Sequence, residues 1–256
     1  MRPPLLTSAL LDSLEGVRHG FSFRSGGIST GPFDSLNLGS NVGDDPRAVS
    51  ENRRRFAVAL GVVDLAEADQ VHGDRVVMAS RAGHQGVQAD AMFTNTPELA
   101  LTIRTADCAP ILIVHAREGR ARRVAAVHAG WRGATRRILP RAIAELHAPP
   151  EELYVAIGPT IGFDAFEVGP EVIEAAKASV EGPVPARALA DGKWRLDLVE
   201  LLRAQARELG IAADRVDSVG GDTYTDVDRF FSHRRDRGVT GRHASAVLLS
   251  GESWAT

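Results

Sequence analysis

The sequence predicts an α+β fold with mixed sheets. Apolar runs of strand length follow one another directly at 99–106, 110–116 and 123–128, so these strands need no helix between them. Helical periodicity is confined to separate segments near 46–60, 134–147, 170–179 and 197–209. The two patterns do not alternate as a βαβ chain would, which argues against a doubly wound parallel sheet. No repeat, low-complexity tract or linker interrupts the 256 residues, so a single domain is expected over 1–256.

Each element has a local reason. Phe21 to Arg24 alternates like a strand until Ser25-Gly26-Gly27 breaks it. Asp45 suits a helix cap and Pro46 the first helical turn. Val49, Phe56 and Leu60 then share one face, and Gly61 ends the helix. A short strand follows His72-Gly73 over 75–79. Gly119 lies in the turn before 123–128, and Gly130 and Gly133 open a helix over 134–147 with Ile138, Leu139, Ala142, Ile143 and Leu146 on one face. A strand at 153–157 runs into Gly158-Pro159-Thr160-Ile161-Gly162. A helix at 170–179 is followed by a Pro- and Gly-punctuated loop at 181–193, then by a helix at 197–209 closed by Gly210. Strands at 215–219 and 244–249 flank a polar loop at 222–240.

Composition narrows the function. The chain is 44% hydrophobic and 25% charged, as a globular protein is, with a formal net charge of -3. That balance gives no electrostatic case for nucleic-acid binding, and the arginine clusters at 53–55 and 120–123 read as solvated faces. A single cysteine excludes an intrachain disulfide framework and suits a reducing compartment. No apolar run is long enough to span a bilayer and residues 1–6 lack a signal-peptide core, so a cytoplasmic monomer that does not engage membranes is expected.

The chemistry centres on that cysteine. Cys108 follows Thr105-Ala106-Asp107, His128 opens His128-Ala129-Gly130-Trp131-Arg132-Gly133, and His72 stands in Gln70-Val71-His72-Gly73. All three fall at ends of expected strands, where loops present groups on a rigid scaffold. One thiolate and two imidazoles could form a three-ligand metal site with an open coordination position, the mark of a catalytic zinc. Their spacing matches no local zinc-finger pattern, so they would have to meet in space. Without a metal, Cys108 and His128 could instead serve as nucleophile and base of a hydrolase, or the chain could be a binding module. Free N–H groups before the helix at Gly130–Gly133, with the Arg132 guanidinium, suit an anion. Asp107 could orient a ligand or cap a turn. Asp90 and Glu167 read as a turn cap and a strand-end carboxylate ahead of acid–base groups. His233, between Phe230-Phe231 and Arg234-Arg235, could line a pocket. Few methionines and no His-x-His pair speak against multicopper chemistry.

Longer motifs then add a resemblance. They include His19-Gly20-Phe21-Ser22 with Arg24, Ser35-Leu36-Asn37-Leu38, Val42-Gly43-Asp44-Asp45, Gln70-Val71-His72-Gly73 and Ala89-Asp90-Ala91. Thr105-Ala106-Asp107-Cys108, the His128–Gly133 stretch, Gly158-Pro159, Phe230-Phe231-Ser232 and Thr240-Gly241-Arg242 complete the set. On these the chain resembles, nearly end to end, the laccase-domain family, also called the multicopper polyphenol oxidase-type or purine nucleoside phosphorylase family. The resemblance implies two packed mixed β-sheets flanked by helices. It implies zinc, with copper as the weaker alternative, held by His72, Cys108 and His128, which are also the expected catalytic residues. It implies phosphorolysis of adenosine, inosine, guanosine and S-methyl-5′-thioadenosine, deamination of adenosine, and the older copper polyphenol oxidase label. Purine nucleosides and phosphate are the expected partners, with Arg24, Arg132 and Arg234 as substrate-binding residues for the anion. Zinc deaminases use a Glu in H-x-E as proton shuttle. Neither His72 nor His128 has one, and Asp74 is a poor substitute, so the shuttle is unassigned. The chain departs from the family's common residues at Thr160, Asp222 and His233, none of them an expected ligand.

Overall fold

Alternation within single strands sets the layers of this molecule, a computed structural model that describes residues 2–63 and 65–251. In chain order its elements are β1 (Leu5–Leu6), α1 (Ala9–Asp12), β2 (Val17–Ser22), α2 (Pro46–Leu60), β3 (Leu65–Asp69), β4 (Val76–Met78), β5 (Gly83–Gln88) and β6 (Ala91–Thr94). Next come β7 (Ala100–Thr105), β8 (Ala109–Arg117), β9 (Arg120–Ala129), α3 (Trp131–Thr135), α4 (Ile138–Glu145) and β10 (Leu153–Ile157). The last are β11 (Glu167–Val168), α5 (Pro170–Lys177), β12 (Ala186–Ala188), β13 (Trp194–Leu196), α6 (Leu198–Glu208), β14 (Val216–Ser218) and β15 (His243–Leu249).

Two six-stranded sheets result, ordered β1-β2-β15-β7-β3-β5 and β14-β10-β8-β9-β6-β4, beside a small β11-β13-β12 ribbon. Both large sheets are mixed. β15 is antiparallel to β2 and β7, whereas β3 is parallel to β7 and β5. β8 is antiparallel to β9 and β10, whereas β4–β6 and β10–β14 are parallel.

The inner faces of the sheets meet in one core, where Phe21, Leu101, Ile103 and Val247 pack with Leu112, Val114, Val124 and Ala126. The alternate residues of the same strands point outward, because side chains along a strand take opposite faces. Ile111, Ile113, Ala125 and Val127 pack under Ile138, Leu139 and Ala142 of α4 and Leu198, Leu201 and Leu202 of α6. On the other outer face, Ala244, Ala246 and Leu248 pack under Phe56, Ala57 and Leu60 of α2. The layers therefore run helix, sheet, sheet, helices. Strands covered on both faces read as unbroken apolar runs, which is why 110–116 and 244–249 are so apolar.

α2 matches its sequence reading. The Asp45 carboxylate accepts from the Arg47 N–H, Pro46 opens the helix, and Gly61 closes it at φ 74°, a conformation glycine adopts without a Cβ penalty. The helix expected over 134–147 differs. It is two helices, α3 and α4, separated by Arg137 at φ 62°. A continuous helix would put Pro140 in its interior, without an N–H and against the preceding turn. Restarting at Ile138 puts Pro140 in a first turn, where no donor is needed. The loop expected over 181–193 contains β12, which pairs with β13 around an Asp191-Gly192 turn.

Candidate metal centre and cavity

Three connections cross from the first sheet to the second, and the site is built on them. The link from β3 to β4 carries His72, the link from β5 to β6 carries Asp90, and the link from β7 to β8 carries Cys108. His128 lies near the end of β9, paired with Pro110 of β8. The ligating atoms of His72, Cys108 and His128 lie within 4.8 Å of one another. The two imidazoles meet edge-on, with centroids 4.8 Å apart at 80°. His128 is buried, Cys108 half-buried and His72 exposed, so the group opens on the His72 side.

Asp90 organises this group. Its buried carboxylate accepts the backbone N–H groups of Val71, His72 and Gly73 at 3.2, 2.9 and 2.7 Å. The same carboxylate lies 2.7 Å from His128 Nδ1. With Nδ1–H donated to Asp90, His128 offers its Nε2 lone pair to the cluster, the carboxylate–histidine arrangement of metal sites. Burial pushes the Asp90 pKa up, but the His128 hydrogen bond and the Gly73 and Val71 amides outweigh it and hold the carboxyl below its usual range. The three amides also hold His72 at φ 58°, a left-handed conformation rare for a side-chain-bearing residue.

Asp107 does for Cys108 what Asp90 does for the histidines. It sits at φ 90°, which turns the next side chain out of the strand direction. Its carboxylate accepts from Thr223 Oγ1 at 2.7 Å and from the Arg234 N–H at 2.6 Å. Its carbonyl accepts from Thr160 Oγ1 at 2.5 Å and from the Ile161 N–H at 3.0 Å. Gly130 leaves the space the cluster needs. A Cβ there would lie 2.9 Å from Cys108 Sγ and 3.3 Å from His72 Cδ2.

The electrostatics favour a thiolate. Burial raises the Cys108 pKa, but the charge and hydrogen bond of His128, with a hydrogen bond from His72, bring it down to about 6. Burial lowers His128, and the Cys108 charge and the Asp90 hydrogen bond raise it to about 9. A cation bound between these groups would replace the imidazolium charge and leave a neutral imidazole free to ligate. The donor set, its closeness and the oriented His128 all fit a metal ion. Among the described residues this is the one such group.

The group opens into a cavity of about 470 Å³, within the range of small-molecule sites. Arg132 and Arg234 line it, as does His233. The Arg132 guanidinium is 4.4 Å from the Trp131 ring centre. Arg234 Nη1 donates to the Glu167 carbonyl at 3.0 Å. Arg24, expected at the anion site, is not among the lining residues. It donates to the carbonyls of Asp34 and Val227 at 2.9 and 2.8 Å and lies 4.8 Å from the Phe231 ring centre, so its guanidinium holds loops together. Glu167 pairs with Lys193 and Asp74 with Arg141, away from the cluster. Sequence reasoning missed the double role of Asp90, which is a turn cap and also the partner of His128. It missed Arg104 and Arg242 on the cavity wall as well. Arg242 lies in a motif, Thr240-Gly241-Arg242, whereas nothing in the sequence marks Arg104.

With fold and site in place, comparison with known proteins is direct. Residues 18–250 match the family described as multi-copper polyphenol oxidoreductase laccase, and the chain belongs to that family. It is 44% identical over 241 residues to a purine nucleoside phosphorylase of Pseudomonas aeruginosa, covering 91% of this chain and 93% of that one. It is 39% identical over 239 residues to purine nucleoside phosphorylase YfiH of Escherichia coli, covering 92% and 95%. The crystal structure of YlmD from Geobacillus stearothermophilus superposes with a TM-score of 0.87 at 33% identity, over 93% of this chain and 94% of that one. The expected fold of two mixed sheets flanked by helices is the one observed.

Proposed function

We propose that this protein is a zinc-dependent purine nucleoside phosphorylase acting on adenosine, inosine, guanosine and S-methyl-5′-thioadenosine, with adenosine deaminase as a second activity. The observation that carries the reading is the His72–Cys108–His128 group, open to a cavity lined by arginines. The names borne by the Pseudomonas aeruginosa and Escherichia coli relatives supply the reaction class. One thiolate and two imidazoles suit zinc. Copper is the weaker choice, because a multicopper centre needs further histidine ligands and the described residues hold one such group.

A metal held by His72, Cys108 and His128 supplies Lewis acidity towards substrate oxygen or nitrogen. The protein's own residues do the rest. Asp90 fixes both the His72 turn and the His128 ring. Arg132 and Arg234 present cations to the cavity, where phosphate and nucleoside must lie side by side. In phosphorolysis a phosphate oxygen bonds to ribose C1′ as the bond to the purine breaks, and the purine leaves with the electron pair. Deamination needs in addition a group that carries a proton to the departing amine. Asp90 already accepts four hydrogen bonds, Asp107 accepts from Thr223 and the Arg234 N–H, Asp69 on the cavity wall pairs with His84, and Asp74 pairs with Arg141, so each of these described carboxylates already has a partner. Deamination is therefore the lesser activity.

One observation favours a second reading. Asp90, His128 and Cys108 stand in the order acid, base, nucleophile, as in a cysteine hydrolase. Removal of metal by chelation and dialysis, followed by zinc addition, separates the two. Inosine turnover that falls with the metal and returns with zinc supports the phosphorylase. A metal-free protein that hydrolyses its substrate and is inactivated by thiol alkylation supports the hydrolase. Among the described residues no helix is long and apolar enough to cross a membrane, in keeping with small soluble substrates.

A further inference from the structure

We propose that Arg104 and Arg242 form an oxyanion subsite on the cavity wall beside Cys108, and that its occupant is inorganic phosphate. Phosphate as the occupant rests on the phosphorylase reading; the subsite itself rests on geometry. Arg104 is opposite Ala244 in the β7–β15 ladder, and His243 is opposite Thr105. Arg242 directly precedes β15, so it shares the face of Ala244 and stands diagonal to Arg104. Such diagonal Cα atoms are roughly 7–8 Å apart, within reach of long side chains. Both arginines line the cavity that holds Cys108 and His128.

The two side chains are held in place, yet keep donors free. The Arg104 backbone is clamped by the Gln70 side chain, which accepts from its N–H and donates to its carbonyl, both at 2.7 Å. Its Nη1 lies 3.3 Å from Ser40 Oγ and 3.7 Å from the buried Glu67 carboxylate, which also pairs with Arg53. The Arg242 backbone is clamped by Asn37 and Leu38, and its Nη1 donates to the carbonyls of Thr240 and Gly241 at 3.0 Å. Among the described residues the hydrogen bonds of both guanidinium groups use Nη1 alone, which leaves Nε and Nη2 of each for a ligand.

Gly39 completes the subsite. A Cβ at Gly39 would meet Arg242 Cγ at 2.7 Å and Cβ at 3.0 Å, so the arginine stem occupies the space a side chain would take. Two guanidinium groups side by side repel, and an anion between them relieves this. Paired guanidinium forks match phosphate geometry, and fixed orientation lowers the entropy cost of binding.

The test is calorimetric titration of inorganic phosphate into the zinc-loaded protein without nucleoside. Phosphate binding should weaken about tenfold or more in Arg104→Gln and in Arg242→Gln, since each loses a charged donor pair. Arg54→Gln, which removes an exposed charge paired with Glu51 outside this cavity, should bind as the parent does. Gly39→Ala keeps both charges but displaces Arg242, and should weaken binding too, which serves if a glutamine variant fails to fold. Parent-like affinity in Arg242→Gln and Gly39→Ala, or no binding to the parent, overturns the subsite. Inosine 5′-monophosphate that binds through the same arginines and is excluded by inorganic phosphate only weakly would give the subsite to a phosphomonoester and overturn phosphate as its occupant. If phosphate binds as described but inosine is not cleaved, the subsite stands and the phosphorylase reading fails.

Discussion

His128 Nδ1 lies 2.7 Å from Asp90 Oδ1, and the same carboxylate takes the N–H of His72. One buried acid thus fixes two of the three side chains that meet at the candidate metal site. Asp90→Asn puts an N–H donor where an acceptor is needed. The variant should lose about 10–100-fold in metal affinity, the usual cost of removing such a partner. Zinc competition with a chromophoric chelator measures it, and unchanged affinity would show that Asp90 serves only the turn.

Gly130→Ala tests the room around the ligands. A Cβ there would lie 2.9 Å from Cys108 Sγ, closer than side chains pack. The chain enters α3 with ordinary φ at this position, so the backbone accepts alanine. The variant should remain folded by circular dichroism yet carry much less metal than the parent. Full metal content would show that Cys108 has slack.

Asp107 carries a stability cost. Asp107→Ala removes acceptors for Thr223 and the Arg234 N–H and leaves a residue at φ 90° without polar compensation. Breaking a buried, charge-assisted network of this kind costs about 2–4 kcal/mol, which denaturant unfolding at constant metal load will show. A change under 1 kcal/mol, in the range of a surface substitution, would mean that the Cys108 turn is held by other contacts.

The pH dependence of stability follows from two buried histidines outside the His72–Cys108–His128 group, His243 and His19. Burial, with the nearby Arg24 charge, lowers the His243 pKa to about 3, and its Nε2 accepts from the Phe231 N–H at 3.0 Å. The unfolded state binds this proton near pH 6.5, the folded state only near pH 3. Between those values the unfolded chain binds more protons, so stability is full above the window and falls as pH drops through it, by about 1.4 kcal/mol per pH unit. Burial also lowers the pKa of His19, which adds to the same trend. His243→Gln should flatten the slope of unfolding free energy against pH, and an unchanged slope would remove His243 from the account.

The sequence carried the apolar strands and the capped helices well, because burial on both faces writes itself as unbroken runs in β8, β10 and β15. It carried β3 and β5 poorly. Leu-Ala-Glu-Ala-Asp and Gly-His-Gln-Gly-Val-Gln lack β-branched residues in number, and they become strands by pairing with neighbours already in place. The three ligand candidates were visible as Cys and His beside turn residues, but their meeting was not, since it depends on three chain crossings between sheets. Asp90 looked like a turn cap and is one; its bond to His128 is a tertiary fact with no local signature. Arg24 looked suited to an anion and is spent on loop carbonyls, whereas Arg104 and Arg242, brought to one face by the β7–β15 register, line the cavity.

The central claim is phosphate-dependent cleavage of a purine nucleoside at the His72–Cys108–His128 site. The most direct test follows the sugar product from inosine in the zinc-loaded protein, with and without inorganic phosphate, beside Cys108→Ala. The account predicts ribose 1-phosphate and free hypoxanthine only when phosphate is present, and neither from Cys108→Ala. Free ribose formed without phosphate, no cleavage under either condition, or full activity in Cys108→Ala would contradict it.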